Sequence, residues 1–211
     1  MSSPDRQNPR SPEHAEQQRQ RILDAAEAAF IEYGFHAASM ARIAEKAEIS
    51  QGLTYRYFAN KNAVILAIIA RQIEVRRAGI RALQSQSQFV ERVIELFQSW
   101  VRRDDRAMNP VLFLEMSAEA SRDPEIARAL AEADQTSRGE FKKWLRRMAE
   151  ETGREASEDD LEKRALALGA FIEGLALRAV REPGINHATL AESARLFLPR
   201  LLAFDDGRRC D

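Results

Sequence analysis

Residues 39–61 read SMARIAEKAEISQGLTYRYFANK. Within them Met40, Ile43, Ala44 and Ala47 fall at i, i+3, i+4 and i+7, the apolar stripe of a short helix. Ser39 is placed to cap the start of that helix, and Ser50 to cap a second one ending near Phe58. The turn between them is Glu48-Ile49, with an apolar residue at the corner. Two short helices joined so tightly form the arrangement that sets a second helix into a DNA major groove.

Upstream, a first helix is expected from Gln17 to about Tyr33, with Ile22, Ala26, Ala29, Phe30 and Tyr33 on one face. Gly34 follows where the chain needs a left-handed residue. Residues 1–15 hold Pro4, Pro9 and Pro12 among Ser, Arg and Gln, and read as a disordered tail. Downstream, Asn60 caps a fourth helix reaching about Leu83. Longer helices are expected at 86–104, 110–121, 124–151, 158–181 and 187–204, two of them opened by Pro110 and Pro124. Pro199 should kink or split the last. The reading is all-α: a three-helix head at 16–62, with its recognition helix at about 50–58, and a larger helical region at 63–211, about nine helices in all.

Composition agrees. Alanine occurs 34 times against 11 for Val and Thr together, favouring helix over strand. Thirty-two Lys and Arg balance thirty-three Asp and Glu for a net charge of −1, which excludes a general polycation but not a local basic patch. The longest apolar run, Ala63–Ala70, is far short of the roughly 18–20 residues of a membrane span. The N-terminal residues lack the apolar core of a signal peptide. One cysteine, Cys210, excludes an internal disulfide and a multi-Cys zinc site. A cytoplasmic protein is expected, with no cofactor, no metal and no membrane partner.

The chemistry-bearing side chains of the short motif suit DNA. Gln51 can read adenine, Arg56 guanine, and Leu53 can touch a thymine methyl, with Tyr55 on the same helix. Gly52 allows close approach of backbone to a phosphate. Ser39, Arg42, Ser50, Tyr57 and Lys61 are placed for phosphates, which position without specifying. Each also has an ordinary structural role: the serines are helix caps, the aromatics are core candidates, and Arg42 suits a solvated face.

Arg21-Ile22-Leu23-Asp24-Ala25-Ala26, Phe30, Gly34-Phe35, Ile43-Ala44 and Tyr55-Arg56-Tyr57-Phe58-x-x-Lys61 resemble the amino-terminal signature of the tetracycline-repressor (TetR) family over about residues 17–65. The resemblance implies a homodimeric bacterial transcriptional regulator, usually a repressor. Two helix-turn-helix heads would bind a palindromic double-stranded operator, and an unknown small-molecule effector would release it. Two positions depart from the family pattern. Glu48 stands where the family usually has Gly, so a less left-handed turn is expected. Thr54 stands where Leu or Ile is usual: either Leu53 faces DNA and Thr54 fills a small core gap, or the helix is rotated.

In the larger region, Phe97, Trp100, Met108, Phe113, Met116, Trp144 and Phe171 are ordinary core or the wall of a ligand cavity between helices. Glu115 and Glu173 lie in otherwise apolar stretches, and a carboxylate there needs a partner, solvent or a cationic ligand. Ala165, Gly169 and Gly174, with Leu190, Ala194, Phe197 and Leu201, are candidates for a two-fold helical interface, placed there by the resemblance. Two other readings remain: a DNA-binding regulator with no inducer, constitutive or controlled by a partner protein, and, more remotely, a helical enzyme. The isolated His14, His36 and His187, and the lack of a phosphate loop or nucleophile elbow, speak against the last.

Overall fold

The computed structural model describes residues 12–102 and 109–204. Among them are nine α-helices and no strand: α1 (Pro12–Ala37), α2 (Met40–Lys46), α3 (Gln51–Tyr57), α4 (Lys61–Arg81), α5 (Gln86–Arg102), α6 (Pro110–Ala120), α7 (Pro124–Glu151), α8 (Glu158–Arg181) and α9 (His187–Leu202). Starts are set by side-chain caps. Ser39, Ser50, Asn60, Asn109, Asp123, Ser157 and Asn186 each accept a hydrogen bond from a first-turn amide.

Three local features differ from expectation. Helix α1 starts at Pro12, so residues 12–15 belong to its first turn, where proline is well suited. Residues 35–37 form a further helical piece across a kink at Gly34, which takes the positive φ expected of it, 73°, with ψ 164°, a backbone conformation open essentially to glycine alone. Helix α9 runs through Pro199 as one element. The proline lies in the last turn, and the fully buried Leu198 and Leu202 on either side hold the helix together against its missing amide and the crowding of its ring against the preceding turn.

Two hydrophobic cores organise the molecule. One joins α5, α7, α8 and α9 around Phe97, Trp144, Leu161 and Leu198. The other joins the head to α4, α6 and the start of α7, with Phe30, Phe35 and Ile65 packed together with Leu112, Met116 and Ile126. The second core is continuous across residue 62, so the head sits on α4 and α6 as packed structure. Cys210, Met108 and residues 1–11 lie outside the described residues.

Candidate functional site

Helices α2 and α3 present a stripe of exposed side chains over a fixed inner face. Gln51 and Tyr55, and beside them Gly52 and Arg56, are one turn apart along α3, and all four are exposed. The opposite face is anchored by Thr54, which is fully buried, and by the buried Phe58. The Thr54 hydroxyl donates to the Ser50 carbonyl oxygen at 3.4 Å. Thr54 therefore fills a core gap and Leu53 is left half-buried at the edge of the stripe. Tyr57 is half-buried against the head core, in the role of a packing aromatic. A Cβ at Gly52 would meet nothing within 4 Å, so the backbone there is open to approach.

The serine oxygens are engaged as caps: Ser39 Oγ accepts from the Arg42 amide and Ser50 Oγ from the Leu53 amide, each at 3.2 Å. The Arg42 guanidinium lies over the ring of Tyr33 at 4.6 Å, and that of Arg56 over Tyr57 at 5.6 Å. Tyr33, expected in the core, is 42% exposed.

Lys61 departs from its expected place as a free phosphate contact. Its Nζ donates to the carbonyl oxygens of Phe35 at 2.6 Å and His36 at 3.5 Å, and sits 4.5 Å from the Phe35 ring centre. Burial pushes its pKa below the usual lysine range, against the pull of Glu119. The ammonium thus closes the carbonyl end of α1. Glu48 also departs from expectation: it adopts φ 52°, so the turn is left-handed without glycine. Its carboxylate pairs with Arg21 at 3.0 Å, tying the turn to α1.

Helix α4 links this head to the larger region through its arginines. Arg71 pairs with Asp24 at 2.6 Å and Glu27 at 2.9 Å on α1. Arg81 pairs in a two-pronged contact, 2.8 and 3.0 Å, with Glu140 on α7, and Arg77 and Lys143 lie 3.6 and 3.4 Å from the same carboxylate. Glu140 is 5% exposed, and its pKa is lowered to about 2, first by the Arg81 hydrogen bonds. Helix α6 makes a second link. Glu115 Oε2 accepts from the Phe35 amide at 2.7 Å, and Asn62 reaches the α7 cap Asp123 at 2.6 Å.

The larger region holds a cavity of about 130 Å³ between α4, α6, α7 and α8. Of the expected wall residues, Phe113, Met116 and Glu173 line it. Phe97, Trp100 and Trp144 do not; each is at most 3% exposed, in the body core. Phe171 stacks on Phe197 at 5.4 Å, and Glu115 is committed to the Phe35 amide. Gln72, Arg76 and Asp134 line the cavity and were not anticipated. On α4 and α7 they look like solvated polar positions; only the packing of those two helices turns them inward.

The candidate interface residues divide. Ala165, Leu190 and Ala194 are buried inside the subunit, which removes them as contacts for a second copy. Gly174 is exposed, Gly169 and Leu201 are half-buried, and Phe197 is 48% exposed. Leu166 at 53% and Leu196 at 62% exposure extend the apolar surface of α8 and α9, beyond the residues expected there. A helix in a bundle shows one broad apolar stripe in sequence, and which edge faces its own neighbour depends on packing. Among the described residues, no group of His, Cys, Asp and Glu could hold a metal ion, and no helix is long and apolar enough to cross a membrane.

Known proteins share this architecture. The family model for bacterial regulatory proteins of the tetR family matches residues 22–68, and that for the C-terminal region of BetI-type transcriptional repressors matches residues 88–203. The HTH-type transcriptional regulator UidR of Escherichia coli K12 is 36% identical over 116 residues, 55% of this chain and 58% of that protein. The chain's match thus spans little more than half the length of that relative. Salmonella enterica GusR superposes with a TM-score of 0.72 at 28% identity, over 92% of this chain and 99% of its own. A transcriptional regulator from Saccharomonospora viridis, solved in complex with choline, gives 0.67 at 19% identity, covering 87% and 96%. UidR and the Saccharomonospora viridis protein are named as regulators of transcription.

Proposed function

The chain belongs to the tetracycline-repressor family of bacterial regulatory proteins, and on that premise we propose that it is a homodimeric, sequence-specific DNA-binding repressor released by a small molecule. The exposed stripe Gln51, Gly52, Tyr55 and Arg56, held rigid by buried Thr54 and Phe58, carries this reading. Ser39, Arg42 and Ser50 supply polar groups beside it for phosphates, while bases are read from α3. Two such heads about 34–36 Å apart fit successive major grooves of a palindrome. The exposed Leu166, Leu196 and Phe197 supply the apolar face on which a second copy docks. Selection of bound duplexes from a random pool tests the reading. A palindrome is expected; salt-sensitive binding without sequence preference overturns it.

The cavity suggests the effector's chemistry. Asp134 and Glu173 both face it, and Arg76, 3.6 Å from Asp134, also meets Ser137 at 3.4 Å. Glu173 is an exposed residue lining the cavity, and partial desolvation and Asp134 push its carboxyl up against the pull of Arg76 and Arg138, so a cation would stabilise its charged form. With Phe113 and Met116 beside it, the cavity suits a small organic cation. This rests on the cavity's own carboxylates, since the choline-bound neighbour is informative for fold alone. Release then requires that the cation bind one spacing of the heads better than the other. Titration with tetramethylammonium and its neutral isostere neopentane, followed by DNA release, distinguishes the charge requirement. A second reading, a regulator without inducer, is favoured by the cavity's size: about 130 Å³ is below the roughly 300 Å³ of ordinary ligand pockets. DNA binding indifferent to every cation tried supports it.

A further inference from the structure

We propose that Tyr33, at the end of α1, is a positioning residue for DNA: its ring holds the Arg42 guanidinium ready for a backbone phosphate. The proposal rests on the DNA-binding reading above. Of the basic residues on α2 and α3, Lys46 is already neutralised, its Nζ 2.6 Å from Glu32. The Arg42 and Arg56 guanidinium groups instead meet aromatic rings, at 4.6 and 5.6 Å. The difference matters chemically. A carboxylate partner occupies the N–H donors of a guanidinium, whereas an aromatic ring engages its flat face and leaves the in-plane N–H fork for phosphate oxygens.

The backbone that carries the ring is well anchored. Tyr33 directly precedes the Gly34 break and lies between Phe30 and Phe35, both buried and 5.1 Å apart between ring centres. Its 42% exposure gives it little part in the core; its ring packs against Arg42 at 4.6 Å with Lys46 Nζ at 5.9 Å, and its hydroxyl hydrogen-bonds the Glu32 carboxylate. Arg42 is anchored from the other side, where its amide donates to the Ser39 cap. Holding a long, rotamer-rich side chain in place beforehand reduces the ordering cost at binding. The sequence alone places Tyr33 on the helical face that also carries Ile22 and Phe30, which hides this role.

The test uses the full chain and a random-sequence 30-base-pair duplex, so no operator need be known. Tyr33→Leu is expected to weaken binding by about two- to five-fold per head, the scale of an exposed cation–π contact, while Tyr33→Phe, which keeps the ring under Arg42 and loses only the hydroxyl's hydrogen bond to Glu32, retains most of the wild-type binding. Arg42→Ala weakens binding further and flattens the log–log salt dependence by about 0.9 for each phosphate that is no longer neutralised. In the Arg42→Ala background, Tyr33→Leu should have no additional effect. A purely structural role for Tyr33 would persist in that background, and additive losses overturn the proposal. Unchanged or tighter binding by a folded Tyr33→Leu, checked by its melting temperature, also overturns it. Wild-type protein that binds no duplex overturns the DNA-binding reading and this proposal together.

Discussion

The carboxylate of Glu115 on α6 accepts a 2.7 Å hydrogen bond from the amide of Phe35, across the backbone break at Gly34. The two residues are 80 positions apart, and the hydrogen bond fastens the head to the larger region. The break itself is what requires glycine at 34: its φ of 73° and ψ of 164° are open essentially to glycine alone, whereas a Cβ there would meet Glu115 Oε2 at an ordinary contact distance of 3.6 Å. The same helix carries Phe113 and Met116 into the cavity. Helix α6 thus touches both the proposed effector site and the end of α1.

Replacing Glu115 by Ala leaves the Phe35 amide without its acceptor, at a cost of about 1–3 kcal/mol. Glu115→Gln keeps an acceptor oxygen and should lose less. Thermal denaturation of the two variants checks the order; equal losses would show that charge, not the acceptor, matters.

Glu140 makes stability depend on acidity. Its folded pKa of about 2 lies below the ordinary 4.5, so its contribution is present above about pH 4.5 and is lost as pH falls toward 2. The stability gap between wild type and Glu140→Gln should therefore be constant near neutrality and shrink through that window. Arg81 is 54% exposed, and Lys143 and Arg77 remain to compensate the carboxylate, so Arg81→Ala should lower the melting temperature less than an unpaired buried carboxylate would.

Glu48 occupies a left-handed conformation, φ 52°, that costs a side-chain-bearing residue about 1–2 kcal/mol. Its ion pair with Arg21 leaves the carboxylate side chain 84% exposed and contributes little. Glu48→Gly should raise stability by about 0.5–1 kcal/mol, read as a higher melting temperature. A lower one would show that the Arg21 tie outweighs the relief.

Tyr55 and Lys61 should separate cleanly. Tyr55→Ala removes a 48%-exposed ring and should weaken DNA binding with stability changed by about 0.5 kcal/mol or less. Lys61→Ala deprives the Phe35 and His36 carbonyls of their donor and should lower the melting temperature. Denaturation and duplex binding measured on the same samples would resolve the two effects.

Leu196 is 62% exposed on α9, beside the 48%-exposed Phe197. Leu196→Glu places a charge on the proposed two-fold face and should yield monomers by sedimentation. Loss of the second head should weaken operator binding by on the order of 10²-fold. A variant that remains dimeric would move the interface elsewhere.

Much of the architecture was legible because it is locally encoded. Ser39, Ser50 and Asn60 cap where they were expected, since a cap needs only a side-chain oxygen two or three residues before a free amide. The exposed side of α3 was legible in part: helical spacing groups Gln51 with Tyr55 and Gly52 with Arg56, but only the burial of Thr54 decided between the two placements open for Leu53. Glu48 and Lys61 were misplaced because a turn's φ and an ammonium's partner depend on neighbours the motif does not contain. The cavity was only half found: Phe113 and Met116 belong to the aromatic and methionine stripe and Glu173 is an acid in an apolar stretch, whereas Gln72, Arg76 and Asp134 carry no such mark.

From its sequence alone, the chain's helices, their caps and its short helix-turn-helix motif follow, because periodicity and capping act over three or four residues. Tertiary structure decided the rest: that Glu115 faces Phe35 and not a ligand, that Arg81 and Glu140 meet, that Tyr33 turns out toward Arg42, and that Leu196 stays outside while Ala194 is enclosed. Each depends on how two distant helices cross, and helical spacing fixes a face without fixing what that face meets.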